Sequence, residues 1–216
     1  MKDFTVELQK RLWELKPGKD LSSPYFINLD FGEKVILNKL FPDSKKYFLE
    51  LGSGWGEVAV ELASKNPETG FLLMEKKINR VENTIKLLEK QNLSNIKFLN
   101  LNFNWFLEEV FLENSFDEIL LNFPDPWPKA KHHKHRSFDE EFFESILKIL
   151  KPDSRFRFAT DFAPYGRKVI RLIRRKKNGY KNFGWGFERK DFPVSYFEGK
   201  KIKEGKKIYY LELYKS

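Results

Sequence analysis

The amino-acid sequence predicts an α/β fold, a parallel sheet covered by helices on both faces. Three observations lead there. Short apolar runs alternate along the chain with stretches whose apolar residues recur at helical spacing. The chemically suggestive residues fall just after those runs, at the carboxyl ends of the presumed strands, where parallel sheets bind ligands. Finally, 216 residues with 41% hydrophobic content are enough for one sizeable core, and no internal repeat or low-complexity linker divides the chain.

The elements follow in order. "YFLEL" (47–51), a short apolar run that ends in a glycine loop, reads as the first strand. Glu57 to Ser64 places Val58, Ala59, Leu62 and Ala63 at helical spacing. "GFLLME" (70–75) is the second strand. Residues 77–91 carry the stripe Ile78, Val81, Ile85 and Leu88 of a second helix. "IKFLNL" (96–101) is a third strand, followed by a helix around 104–112. "FDEILLNF" (116–123) is a fourth strand, and a helix fits 138–150 through Phe142, Phe143, Ile146, Leu147 and Leu150. "SRFRFAT" (154–160) is a fifth strand and 164–177 a helix, in which Val169, Ile170 and Ile173 face the core and Arg167, Arg171, Arg174 and Arg175 share one side. "GKKIKEGKK" (199–207) reads as a basic hairpin loop, and "KIYYLELY" (207–214) closes the chain as a strand.

The first strand runs into "LELGSGWGE". Gly52, Gly54 and Gly56 suit a backbone that turns sharply and approaches a ligand closely. The spacing is G-x-G-x-G, and Glu57 stands where a pyrophosphate would meet a carboxylate at a helix N-terminus. With Glu50, the loop carries two acids, which suits a ligand with a cationic end such as the amino group of a methionine moiety. Glu75 ends the second strand, where a carboxylate can accept both hydroxyls of a ribose; the plainer alternative is that it caps the helix near Lys77. Asn102, after the third strand, can meet an adenine edge. Together these positions fit a pocket for S-adenosylmethionine.

The fourth strand runs into "NFPDPWPKAKHHKHR" (122–136). Prolines 124, 126 and 128 stiffen a loop around one carboxylate, Asp125. Lys129, Lys131, Lys134 and Arg136 follow, interleaved with His132, His133 and His135. The basic run suits phosphates. The histidines lack neighbouring cysteines or an i, i+4 spacing, so no metal is expected. Residues 129–216 hold 24 Lys+Arg against 11 Asp+Glu, whereas the remainder is net negative within an overall charge of +9. Such asymmetry points to a polyanion partner. No apolar run is long enough to cross a membrane, no signal peptide is evident, and the chain has no cysteine, which together suggest a cytoplasmic protein.

With these motifs in view, the chain resembles the bacterial tRNA (guanine-N7)-methyltransferases. "LELGSGWGE", "LNFPDPWPKAKHHKHR", "FATD" (158–161), "PVSYFE" (193–198) and "GKKIYYLEL" (205–213) carry the likeness, from about residue 46 to the C-terminus. The resemblance implies a doubly wound, mostly parallel seven-stranded methyltransferase sheet, Rossmann-like, with an antiparallel C-terminal strand. Residues 1–45 are then an N-terminal extension packed on a catalytic domain of 46–216. It also implies methyl transfer from S-adenosylmethionine, without a metal, to N7 of a guanine in the variable loop of tRNA, by a monomer or homodimer. Glu50, Glu75, Asn102 and Asp125 fall on its cofactor positions. Lys129, Asp161 and the stretch Ser195, Tyr196, Phe197 and Glu198 fall on positions that contact tRNA or the guanine. The family usually has aspartate where this chain has Asn102, and Thr-Lys-Phe-Glu where it has Ser195 to Glu198.

The chemistry agrees with that expectation. Guanine N7 holds an in-plane lone pair at neutral pH and needs no general base, so alignment is the main task. Asp125, held by its prolines, can accept from guanine N1–H and N2–H; Asp161 is the rival for that role. Trp127 either stacks on an extruded base or packs locally. Two other readings compete: a nicotinamide oxidoreductase, disfavoured by the glycine spacing and Glu57, and a non-catalytic RNA-binding protein, disfavoured by the intact glycine loop and Asp125.

Overall fold

The structure is a computed structural model, described for residues 23–29, 32–103, 107–127, 138–176 and 178–216. A short helix α1 (Leu37–Leu40) leads to β1 (Lys46–Leu51), α2 (Glu57–Lys65), β2 (Thr69–Met74), α3 (Ile78–Gln91) and β3 (Ile96–Leu99). Next come α4 (Leu107–Val110), β4 (Phe116–Asn122), α5 (Glu140–Ile149), β5 (Leu150–Thr160), α6 (Ala163–Lys176), β6 (Tyr180–Gly186), α7 (Tyr196–Lys203) and β7 (Tyr209–Lys215). The strands form one seven-stranded sheet in the order β3-β2-β1-β4-β5-β7-β6. The first five are parallel; β7 is antiparallel to both β5 and β6.

Both faces of the sheet are covered. Leu49, Leu51, Leu72, Met74, Ile119, Leu121, Phe156 and Phe158 point to one face, where Phe143 and Ile146 of α5 and Val169 and Ile173 of α6 meet them. Phe48, Phe71, Leu73, Phe98 and Leu120 point to the other, against Val58 and Ala63 of α2 and Val81, Ile85 and Leu88 of α3. Each fully buried Val, Leu, Ile, Phe or Met among them contributes about 1.5–3 kcal/mol of hydrophobic stabilisation. Within residues 23–45, Phe26 pairs with Phe98 at the β3 edge. Phe41 lies so close to β2 that a Cβ on Gly70 would stand 2.5 Å from its ring.

Strand order reverses between β2-β1 and β4-β5, so a crevice opens at the carboxyl ends of β1 and β4. That is where Glu50, the glycine loop and the Asp125 loop lie.

Three expectations need correction. Residues 199–207 are not a hairpin loop: α7 covers most of them, starting at the N-cap Ser195, whose Oγ accepts from Glu198 N at 3.2 Å, and giving way before Gly205 at φ 69°. The helix expected over 138–150 begins only after the N-cap Asp139, which accepts from Phe142 N at 2.9 Å, and stops before Leu150, which pairs with Phe116 as part of β5. β6 has no counterpart in the sequence reading. Its glycines at 184 and 186 interrupt the apolar run, and an edge strand half exposed to water carries a weak pattern.

Candidate active site

The turn after β1 is built from three left-handed glycines, with φ 71° at Gly52, 61° at Gly54 and 72° at Gly56. At Gly56 a Cβ would also lie 2.6 Å from Thr84 Cγ2, so α3 packs against the turn. At Gly54 a Cβ would meet nothing within 4 Å, which leaves the loop open towards a ligand. Thr84 fixes the loop from α3 by donating to Trp55 O at 2.9 Å.

Glu75 organises this turn. Its Oε2 accepts from Gly54 N at 3.0 Å and its Oε1 from Lys77 N at 2.9 Å, so one carboxylate both holds the glycine loop and serves the start of α3. Arg80 stands 3.5 Å from the same Oε2 and lies over the Trp55 ring. Each carboxylate oxygen has a second lone pair for a further donor.

Glu50, at the end of β1, is 4% exposed. Burial pushes its carboxyl up to about 8; Glu57 and Glu75 push the same way, and the Arg189 guanidinium pulls it down part of the way. Among the described residues its Oε2 has no hydrogen-bond partner, and neither has the buried Ser53 Oγ in the adjoining loop. Buried polar atoms normally have partners, so these two mark a place for a donor from outside the chain. Asn102 lies half-buried beyond β3.

At the end of β4 the chain bends sharply. Phe123 (φ 48°) and Trp127 (φ 40°) are both left-handed, a conformation that costs a bulky residue of order 1–3 kcal/mol. They bracket Pro124, Asp125 and Pro126, so Asp125 sits exposed at the tip of a loop held from both sides. Phe123 N still donates to Ala159 O at 2.8 Å, anchoring the loop's first residue to β5. Trp127 is 36% exposed. Lys129, Lys131 and Arg136, with the three histidines, lie outside the described residues.

Asp161 follows β5, 4.0 Å from Lys201 Nζ on α7. Of the Ser195–Glu198 stretch, Tyr196 is 78% exposed, Phe197 packs edge-on against Phe123 at 5.2 Å, and Glu198 is buried. The structure thus brings the start of α7 onto the Asp125 loop.

Sequence reading missed the group that holds α7 there. Arg189 reaches in from the segment after β6; its Nη2 donates to Glu198 Oε2 at 2.6 Å and its Nη1 to Asn122 Oδ1 at 3.2 Å. The side chains of Arg189 and Glu198 are only 7% and 1% exposed. Phe192 and Tyr210 flank the guanidinium at 4.3 and 4.9 Å, and Tyr210 OH donates to Glu198 Oε1 at 2.6 Å. Burial pushes the Tyr210 hydroxyl well up, and its bond to Glu198 adds to the shift. Asn122 Nδ2, also buried, has no partner among the described residues. The signal available in the sequence was Ser195-x-x-Glu198, a helix-start pattern, although here the glutamate turns inward to Arg189. Among the described residues no cluster of three or more His, Cys, Asp or Glu is placed to hold a metal ion, and no helix is long and apolar enough to cross a membrane.

Comparison with known proteins adds to this geometry. A family model described as "Putative methyltransferase" matches residues 44–211. A tRNA (guanine-N(7)-)-methyltransferase of Leptospira interrogans serovar Lai is 53% identical over 208 residues, covering 95% of this chain and 96% of its own. One from Buchnera aphidicola is 34% identical over 92% of this chain and 79% of its own. Among solved structures, an antibiotic-related methyltransferase superposes with a TM-score of 0.62 at 17% identity, over 89% of this chain and 97% of the other. A 30S ribosomal A1408 methyltransferase from an uncultured bacterium does so at 0.58 and 19%, over 85% and 96%. Both have the same fold.

Proposed function

The chain belongs to the tRNA (guanine-N7-)-methyltransferase family, and from that premise we propose that it methylates N7 of a guanine in the variable loop of tRNA, using S-adenosylmethionine. The observation that carries the reading is the set of buried, unpartnered polar atoms at the ends of β1 and β4 beside an exposed, backbone-constrained carboxylate. They fit the donor: Glu50 would accept from its amino group, the glycine turn lets its backbone-proximal end approach, Glu75 would accept from the ribose hydroxyls, and Asn102 would meet the adenine edge. When bound, S-adenosylmethionine supplies a sulfonium methyl that a lone pair can displace.

The chain's own residues do the positioning. Asp125 accepts from the guanine Watson–Crick edge and orients N7; Asp161 stands ready on the neighbouring strand. Trp127, Tyr196 and Phe197 offer ring faces to an extruded base. No proton leaves N7, so no general base is required, and a nearby carboxylate favours the cationic product. Lys129, Lys131 and Arg136 supply phosphate contacts. The test is transfer of labelled methyl to unmodified tRNA in excess chelator: incorporation is expected, and its absence, with recovery on added metal, contradicts the metal-free mechanism.

Glu50 makes cofactor binding pH-dependent. Its raised carboxyl is protonated below about pH 8, whereas accepting from an ammonium requires the ionised form. Only the ionised fraction binds, so with the carboxyl at about 8 the Kd for S-adenosylmethionine should fall about fivefold from pH 7 to 8, by about a further factor of two above that, and then level off. Binding below pH 8 should release a proton. Calorimetry in buffers of different ionisation enthalpy measures both. Glu50→Gln should bind weakly with a flat profile; an equally steep profile in that variant would assign the proton to another group.

A further inference from the structure

We propose that Trp185 and Phe187 form a stacking shelf for an unpaired nucleotide of the RNA, outside the pocket for the target guanine. This rests on the functional reading above.

Alternation along β6 places Phe183, Trp185 and the following Phe187 on the face covered by α6, while Gly184 and Gly186 face the other way. The Trp185 ring lies 11° from parallel to the Tyr209 ring at a centroid distance of 6.3 Å. Phe187 stands nearly perpendicular to both, at 5.8 and 5.1 Å. Tyr209 is a firm underlay: it is 8% exposed, it packs so tightly on α6 that a Cβ on Gly166 would lie 2.8 Å from its ring, and Arg167 Nη1 donates to its hydroxyl at 3.5 Å. The outer rings nevertheless remain 42% and 45% exposed. Water is a poor solvent for such surface, so two held, exposed rings suit a ligand with a flat apolar face.

The surrounding charge identifies that ligand. Lys207 Nζ lies 5.2 Å over the Phe187 ring and Arg167 reaches the Tyr209 hydroxyl beneath Trp185, which brings two cations to the shelf. Flat faces joined by anions are the chemistry of single-stranded nucleic acid. A second copy of this chain, of net charge +9, would bring like charge to the same patch. Position agrees as well. Tyr209 pairs with Thr160, the residue before Asp161, so the shelf stands on the edge of the sheet that carries the site. Extruding the target guanine unstacks its neighbours, and one of these would rest on Trp185.

The test uses unmodified tRNA and the intact chain. Trp185→Ala/Phe187→Ala should raise the Kd for tRNA about tenfold or more, as loss of one or two stacked bases does. The slope of log K against log salt should stay unchanged, because no phosphate contact is lost. Affinity for S-adenosylmethionine should also stay unchanged. Trp185→Phe should bind within about threefold of wild type and Trp185→Leu should not, which separates a ring face from bulk even if the double variant folds poorly. Affinity in Trp185→Leu within twofold of wild type overturns the shelf. So does a wild-type dimer that the double variant splits without loss of tRNA affinity, since the patch is then a protein interface. Wild type that binds tRNA through these residues but transfers no methyl group overturns the functional reading and leaves the shelf standing.

Discussion

Asp125→Asn is expected to lower kcat for tRNA methylation by about 10²-fold or more while leaving the thermal midpoint unchanged. The carboxylate presents two acceptors to two adjacent guanine N–H groups. Asparagine turns one acceptor into a donor, which then faces another donor. The pair is lost, and with it the alignment of N7. The fold should survive because Asp125 is exposed, and the turn around it is set by Phe123, Trp127 and the prolines. Single-turnover kinetics with saturating cofactor isolates the chemical step. Turnover near wild type in Asp125→Asn, together with a collapse in Asp161→Asn, transfers the guanine edge to Asp161.

The largest stability effect should follow Arg189→Met. The substitution keeps much of the side-chain volume between Phe192 and Tyr210 but leaves Glu198 buried without its cation. Removing one partner of a buried pair costs about 3–5 kcal/mol, which for a chain of this size lowers the midpoint by about 10 °C. Glu198→Gln added to Arg189→Met should recover much of the loss, because an uncharged amide can still accept from Tyr210. The single variant should also methylate poorly at temperatures where it is folded, since α7 is then held to the end of β4 by Phe123 and Phe197 alone among these contacts. Denaturant unfolding of wild type, both single variants and the double variant closes the cycle. A single Arg189→Met variant within about 1 kcal/mol of wild type would mean that water reaches Glu198 and the pair is not a structural latch.

How much of this could be read from the sequence depended on how local the cause was. Leu49, Leu51, Leu72, Leu73 and Met74 are wholly buried, and strands covered on both faces write themselves as continuous apolar runs. The glycine turn and the proline-flanked Asp125 were also legible, because backbone constraint is carried by the residues themselves. Of the two readings of Glu75, the structure bears on the one at the helix start: one oxygen accepts from Lys77 N, while the other holds Gly54 N within the chain's own glycine turn. What could not be read is long-range. Arg189, Asn122, Glu198 and Tyr210 are brought together only when β7 inserts between β5 and β6. The raised Glu50 carboxyl depends on burial and on Glu57, Arg189 and Glu75 at once. β6 was lost to its glycines, and the same glycines hid the alternation that sets Trp185 and Phe187 on one face.

On this reading the site directs a methyl group to one ring nitrogen of one tRNA base. The most direct measurement is to map the product on tRNA incubated with the protein and labelled S-adenosylmethionine, by nuclease digestion to nucleosides and by chain cleavage at N7-methylguanine. Label is expected in N7-methylguanosine alone, with a single cleavage in the variable loop. Label in any other nucleoside, or cleavage spread over many guanines, would contradict that reading.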